Sequence, residues 1–144
     1  MTAPVVRNSL KQKLAAGGVS PGLGIRTVRS AEIGRIMKTA GFEWLFIDLE
    51  HGPSSVESAF AMCVGALDAG IAPIVRVPQG ELRLGARCLD GGALGIVMPH
   101  VDTAEEAREI VDAYRYAPLG HRSIAGGSRQ TAAGMRRCQS VICW

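Results

Sequence analysis

Three times in succession the chain runs through a helix, a glycine, a short apolar strand and then a charged or imidazole side chain, at residues 41–51, 70–76 and 92–100. The clearest case is Trp44-Leu45-Phe46-Ile47-Asp48-Leu49-Glu50-His51. A run of bulky apolar residues too short for a helix reads as a buried parallel strand. This one finishes on two carboxylates and an imidazole before Gly52-Pro53 turns the chain. Alternating βα units at this spacing imply a parallel sheet with right-handed crossovers. The polar residues at the strand ends then share one rim, which is where both a (β/α)₈ barrel and a doubly wound sheet place their chemistry. No G-x-G-x-x-G follows the first strand, which argues against a dinucleotide site.

Taken in order, residues 1–20 are polar and basic with Leu10 and Leu14 four apart, a short amphipathic helix or an arm. Residues 23–28 alternate as a first strand, and Ser30 is a plausible N-cap for a helix over 31–40. Gly41 sits where a helix C′ glycine belongs. Ser54-Ser55-Val56-Glu57 reads as a capping box opening a helix to about residue 69, and residues 72–77 form the next strand. A helix over 82–89 is closed by Gly91-Gly92, residues 93–100 give another buried strand, and Thr103-Ala104-Glu105-Glu106 caps a helix to about residue 116.

With 144 residues, 47% hydrophobic and 20% charged, the chain can bury a core and is one domain by size. The net charge of +3 is unevenly placed: all 13 acidic residues precede residue 113, and the five Arg of the last 32 residues (115, 122, 129, 136, 137) have no acidic counterpart. That basic end lacks interleaved aromatics and any binding motif, so nucleic acid is not the expected partner. The four Cys show no C-x-x-C pair or zinc-finger spacing, and Cys63 and Cys88 read as small buried hydrophobes. No apolar run reaches membrane-spanning length, and a reducing, cytoplasmic setting is the default expectation.

At the strand ends, His51 is the acid/base candidate, because imidazole titrates near neutral pH; the bland alternative is a loop histidine bonded to Asp48 or Glu50. Arg76 ends a strand inside an apolar frame, so its charge must be paired or aimed at a ligand. It either holds a carboxylate and a developing oxyanion or forms a rim salt bridge to Asp48 or Glu50. His100, after Pro99, is placed to touch the same ligand or to lie in a loop. Asp90 closes a helix, where a carboxylate is unfavourable, so a partner such as a histidine would explain it; a solvated turn Asp is the alternative.

Ala40-Gly41-Phe42-Glu43-Trp44-Leu45-Phe46-Ile47-Asp48-Leu49-Glu50-His51-Gly52-Pro53 resembles the AGFDWLxIDxEHxP signature of the HpcH/HpaI aldolases, metal-dependent pyruvate aldolases that include macrophomate synthase. Pro73-Ile74-Val75-Arg76-Val77, Leu89-Asp90-Gly91-Gly92-Ala93 and Tyr116-Ala117-Pro118-Leu119-Gly120-His121-Arg122-Ser123 are similar to further segments of that family. The resemblance runs from about residue 10 to 125. It implies the N-terminal half of a (β/α)₈ TIM barrel over residues 1–125, with a divergent, irregular tail over 126–144. It also implies a lyase that cleaves or forms 4-hydroxy-2-oxo acids, with pyruvate and an aldehyde as partners. His51 would then be the acid/base residue and Asp90 its polarising partner. Arg76 would bind pyruvate and steady the enolate, His100 would contact substrate, and Asp48 and Glu50 would order the water and metal around it. The family holds a divalent metal such as Mg²⁺ or Mn²⁺ with a Glu and an Asp from later strands, in segments resembling QIE and GPxDL. No acidic residue follows Asp112, so the resemblance supplies no metal ligand in this chain. Half a barrel leaves an open strand edge and apolar faces, from which a homo-oligomer is expected, or a fragment that only binds and oligomerises.

Overall fold

A computed structural model of the chain describes residues 8–124 and 140–143. Five parallel strands form one sheet in the order β1-β2-β3-β4-β5: β1 (Gly22–Ile25), β2 (Trp44–Asp48), β3 (Ala72–Arg76), β4 (Gly95–Met98) and β5 (Ser140–Cys143). Helices α1 (Ser9–Ala15), α2 (Ile33–Thr39), α3 (Val56–Asp68), α4 (Leu82–Asp90) and α5 (Ala104–Tyr114) complete it. The strands add in chain order without reversal. A doubly wound sheet reverses its order, whereas a barrel wall does not, so the barrel alternative holds.

Side-chain alternation explains the layering. Leu45, Ile47, Val75, Val77, Ile96 and Met98 point to one face and join Ile33, Met62, Leu89 and Tyr114 of the helices in the main core. Trp44, Phe46, Ala72, Ile74 and Val97 point to the other face, where Leu10 of α1, Leu67 near the end of α3 and Leu94 join them. All four crossover helices thus lie outside the sheet, and the inner face carries its own small apolar cluster. Leu14, expected beside Leu10, is instead mostly exposed.

Local chemistry sets the boundaries. Gly41 takes φ +89° just after α2, the left-handed conformation that a C′ glycine supplies without a Cβ penalty. Thr103 and Glu106 form the expected reciprocal capping box at α5. The expected box at residues 54–57 does not form: Ser55 is the N-cap of α3 and accepts from the amide of Ser58. Ser30 does not cap α2, which starts at Ile33 behind Glu32. The largest departure is at the end of the chain, where residues 140–143, expected to be irregular, pair in parallel register with Gly95 to Met98 as β5.

Helices α2 and α3 cross where two glycines meet. A methyl group at Gly65 would fall on the carbonyl of Ala31, and one at Gly34 would come within 2.5 Å of the Gly65 backbone. Backbone cannot yield as a flexible side chain can. Gly65→Ala is therefore expected to cost about 2–3 kcal/mol, read as a lower urea midpoint at unchanged slope; a loss under about 0.5 kcal/mol would contradict this packing.

Candidate active site

The rim at the carboxyl ends of β1 to β4 gathers the polar residues. Register places Asp48 directly opposite Arg76 on the inner face. Asp48 is 2% exposed and accepts Arg76 Nε at 3.0 Å and a terminal guanidinium nitrogen at 2.7 Å. The amides of Glu50 and His51 also donate to Asp48 Oδ1, at 3.0 and 3.1 Å. One buried carboxylate thus fixes the guanidinium and shapes the loop that presents the next two functional side chains. The rim salt bridge from Arg76 to Asp48 forms, and the same side chain lines the cleft.

Burial opposes the charge on Asp48, but the Arg76 guanidinium and the two backbone N–H groups outweigh it and hold its carboxyl below the usual range. The hydrogen bonds to Asp48, against partial desolvation, raise Arg76 further. The pH consequence has a definite sign. A carboxyl depressed in the folded state contributes stability that is complete above its unfolded pKa of about 4 and is lost as pH falls through the folded value. The urea midpoint should therefore drop on acidification below about pH 4, and by less in Asp48→Asn; parallel drops in the two proteins would contradict the assignment.

Glu50 stands between three cationic or imidazole groups. Its Oε2 lies 3.3 Å from Arg76 Nε and 3.6 Å from His51 Nε2, and its Oε1 lies 3.8 Å from His100 Nε2. That Oε2 is fully enclosed and lacks an aligned hydrogen bond. His51 is 59% exposed at its side chain, so its ring can reach solvent or a ligand while Glu50 faces it. His100 takes φ +54°, a left-handed conformation unusual outside glycine, which turns the chain after Pro99. These four side chains ring a cleft of about 310 Å³ with Phe46 and Val97 in its wall, and the Arg76 guanidinium lies 5.5 Å from the Phe46 ring centroid. Arg26 was not anticipated. It follows β1, donates to the His51 carbonyl at 2.9 Å and approaches Asp48 at 4.0 Å.

Asp90 requires a correction. It accepts from Arg122 at 2.5 Å rather than from a histidine. Helix α4 runs antiparallel to the strands, so its last residue lies where β4 begins, at the rim opposite His51. Within one chain it cannot polarise His51. Arg122 is buried, with its guanidinium 4.7 Å from the Tyr116 ring centroid, and it ties the segment after α5 to the end of α4.

A divalent cation needs several convergent oxygen or nitrogen donors. Among the described residues, no group of three or more His, Cys, Asp or Glu is placed to hold one. Both oxygens of Asp48 are engaged by Arg76, which leaves Glu50 as the one carboxylate among the described residues lining the cleft. These residues do not fit a metal centre of their own. A larger, apolar cavity of about 510 Å³, between α1 and the inner face at the other end of the sheet, brings Leu10, Trp44 and Ile74 together and holds no acid/base pair. Among the described residues, no helix is long and apolar enough to cross a membrane.

Residues 27–138 match the family model described as HpcH/HpaI aldolase/citrate lyase. The chain belongs to that family. The matched span continues past residue 125, into the part that reads as a divergent tail. Among relatives of this family, the chain is 43% identical over 130 residues to the 4-hydroxy-4-methyl-2-oxoglutarate aldolase of Chaetomium globosum, covering 90% of this chain and 48% of that protein. It is 34% identical over 138 residues to the 2-keto-3-deoxy-L-rhamnonate aldolase of Escherichia coli K12, covering 96% of this chain and 51% of that one. The crystal structure of an HpcH/HpaI aldolase from Desulfitobacterium hafniense superposes with a TM-score of 0.78 at 33% identity, over 88% of this chain and 48% of the other. The chain thus spans about half the length of the relatives it matches. The strand order and helix placement are those of the corresponding half of a barrel in this family.

Proposed function

We propose that this rim is the pyruvate-handling part of a carbon–carbon lyase acting on 4-hydroxy-2-oxo acids. One observation carries the reading: an exposed imidazole, His51, and an anchored guanidinium, Arg76, converge on one cleft in a chain of this family. The substrates named for the two relatives are both 2-oxo acids, which supports the same class here.

In this reading Arg76 holds the 2-oxo acid end, its geometry preset by Asp48. His51 takes the proton of the C4 hydroxyl. The C4–O bond becomes a carbonyl as the C3–C4 bond breaks, and that electron pair forms the C2–C3 double bond. The C2 carbonyl pair moves onto oxygen, where Arg76 meets the developing negative charge. The imidazolium, steadied by Glu50, then returns the proton to C3, giving pyruvate and an aldehyde or ketone without redox change. His100 contacts the departing half. A family metal would polarise the 2-oxo group when bound, although the described donors of this chain do not fit one.

The test is pyruvate release from 4-hydroxy-4-methyl-2-oxoglutarate, coupled to lactate dehydrogenase and NADH, with and without Mg²⁺ or Mn²⁺. Turnover that disappears in Arg76→Gln supports the lyase. A second reading is a non-catalytic partner that only binds and oligomerises, in keeping with a cleft whose described residues do not fit a metal centre of their own. Absence of turnover under every metal condition would support it. Self-association is part of both readings, because the inner face leaves Trp44 and Phe46 only partly buried. Sedimentation velocity should show species heavier than 15.2 kDa, and a lone monomer peak would contradict this.

A further inference from the structure

We infer that Phe46 is a positioning residue for Arg76, its ring face holding the guanidinium in the plane that receives the carboxylate of a 2-oxo acid; this rests on the proposed lyase function. Phe46 precedes Asp48 by two residues on β2, so both leave the inner face. Register sets Phe46 opposite Ile74 and Asp48 opposite Arg76. The ring and the guanidinium are therefore diagonal neighbours, a spacing that aromatic and long side chains bridge. They meet at 5.5 Å from the guanidinium carbon to the ring centroid. That lies inside the reach of about 6 Å for a cation over an aromatic face. On its other flank Phe46 pairs with Gly24 of β1, so that strand sends no side chain over the ring.

Three neighbours divide the surface of the Arg76 guanidinium. Asp48 takes one edge, through Nε at 3.0 Å and a terminal nitrogen at 2.7 Å. Glu50, 3.3 Å from Nε and without an aligned hydrogen bond, is a rival anion beside that edge. Phe46 takes the face. An edge contact alone lets the guanidinium tilt toward Glu50. The negative ring face opposes that tilt and keeps water off one side of the cation. The edge that Asp48 does not use is then left for a ligand carboxylate, in a cleft that Arg76 and Phe46 both line. The signature that this stretch resembles fixes Asp48 and His51 but leaves position 46 open, so the ring is a feature of this chain's own site. Phe46 acts through Arg76 and takes no part in proton transfer.

Calorimetric titration with pyruvate tests it through the electronics of the ring. Replacing Phe46 by 4-fluoro-, 3,5-difluoro- and 3,4,5-trifluorophenylalanine withdraws negative charge from the ring face in steps, with little change in size. Pyruvate affinity should fall with each step, to about threefold weaker for the trifluoro ring. Phe46→Leu, which keeps an apolar side chain but has no ring face, should lose about as much. Arg76→Gln should weaken pyruvate more than any change at Phe46. A ring that only fills space predicts no gradient across the fluorine series. Affinity that stays flat across that series, whatever Phe46→Leu does, would overturn the role of Phe46 while leaving the lyase reading intact. Failure of the parent chain to bind pyruvate would overturn both.

Discussion

Asp48→Ala should destabilise the chain by about 3 kcal/mol, more than any other single change at the rim. The substitution removes the charge that pairs with Arg76 and leaves the amides of Glu50 and His51 without their acceptor. Loss of one partner from a buried ion pair is costly because the survivor keeps its desolvation penalty. The cost has a functional side. Released from Asp48, Arg76 has Glu50 within 3.3 Å as its next carboxylate, which draws the guanidinium away from a ligand. Urea unfolding and pyruvate titration should therefore weaken together. In a double-mutant cycle with Arg76→Ala, the two losses should be less than additive, because they remove one interaction. Full additivity, or a stability loss under about 1 kcal/mol, would show that the pair does not organise the rim.

His51→Ala should have the opposite profile. Its ring is mostly exposed and approaches Glu50 only at 3.6 Å, so stability should stay within about 0.5 kcal/mol of the parent. Turnover of a 4-hydroxy-2-oxo acid should fall about 10²- to 10⁴-fold with little change in KM, as expected when a proton-transfer group is removed and binding groups are kept. A raised KM at unchanged kcat would make His51 a binding residue and move the base elsewhere. The two variants divide the rim into a part that holds geometry and a part that moves protons.

Much of this arrangement could be read from residue order. Buried strands rarely end on charge without cause, and the endings at Asp48, Arg76 and His100 do share one rim. The glycine at 41 and the capping box at 103–106 fell where local chemistry demands. Asp90 was misplaced because helix direction decides its neighbours: an antiparallel return from β3 carries it to the far rim, where Arg122 waits. Residues 23–28 alternate as a strand would, yet β1 stops at Ile25 and leaves Arg26 at the rim. Its signal was the same as that of Arg76, a guanidinium just past an apolar strand end. Strand β5 was invisible for another reason. Its four residues carry no helix-strand grammar before them, and a run that short is specified by its pairing with β4 rather than by its own pattern.

Under the proposed function, this rim takes a proton from, and returns it to, carbon next to the pyruvate carbonyl. Pyruvate in D₂O tests it without any aldehyde partner. With the chain and Mg²⁺ or Mn²⁺ present, the methyl signal in proton NMR should fade well above the buffer rate, and the fading should stop in His51→Ala and Arg76→Gln. A methyl signal that fades at the buffer rate with the parent chain under every metal condition would contradict the account.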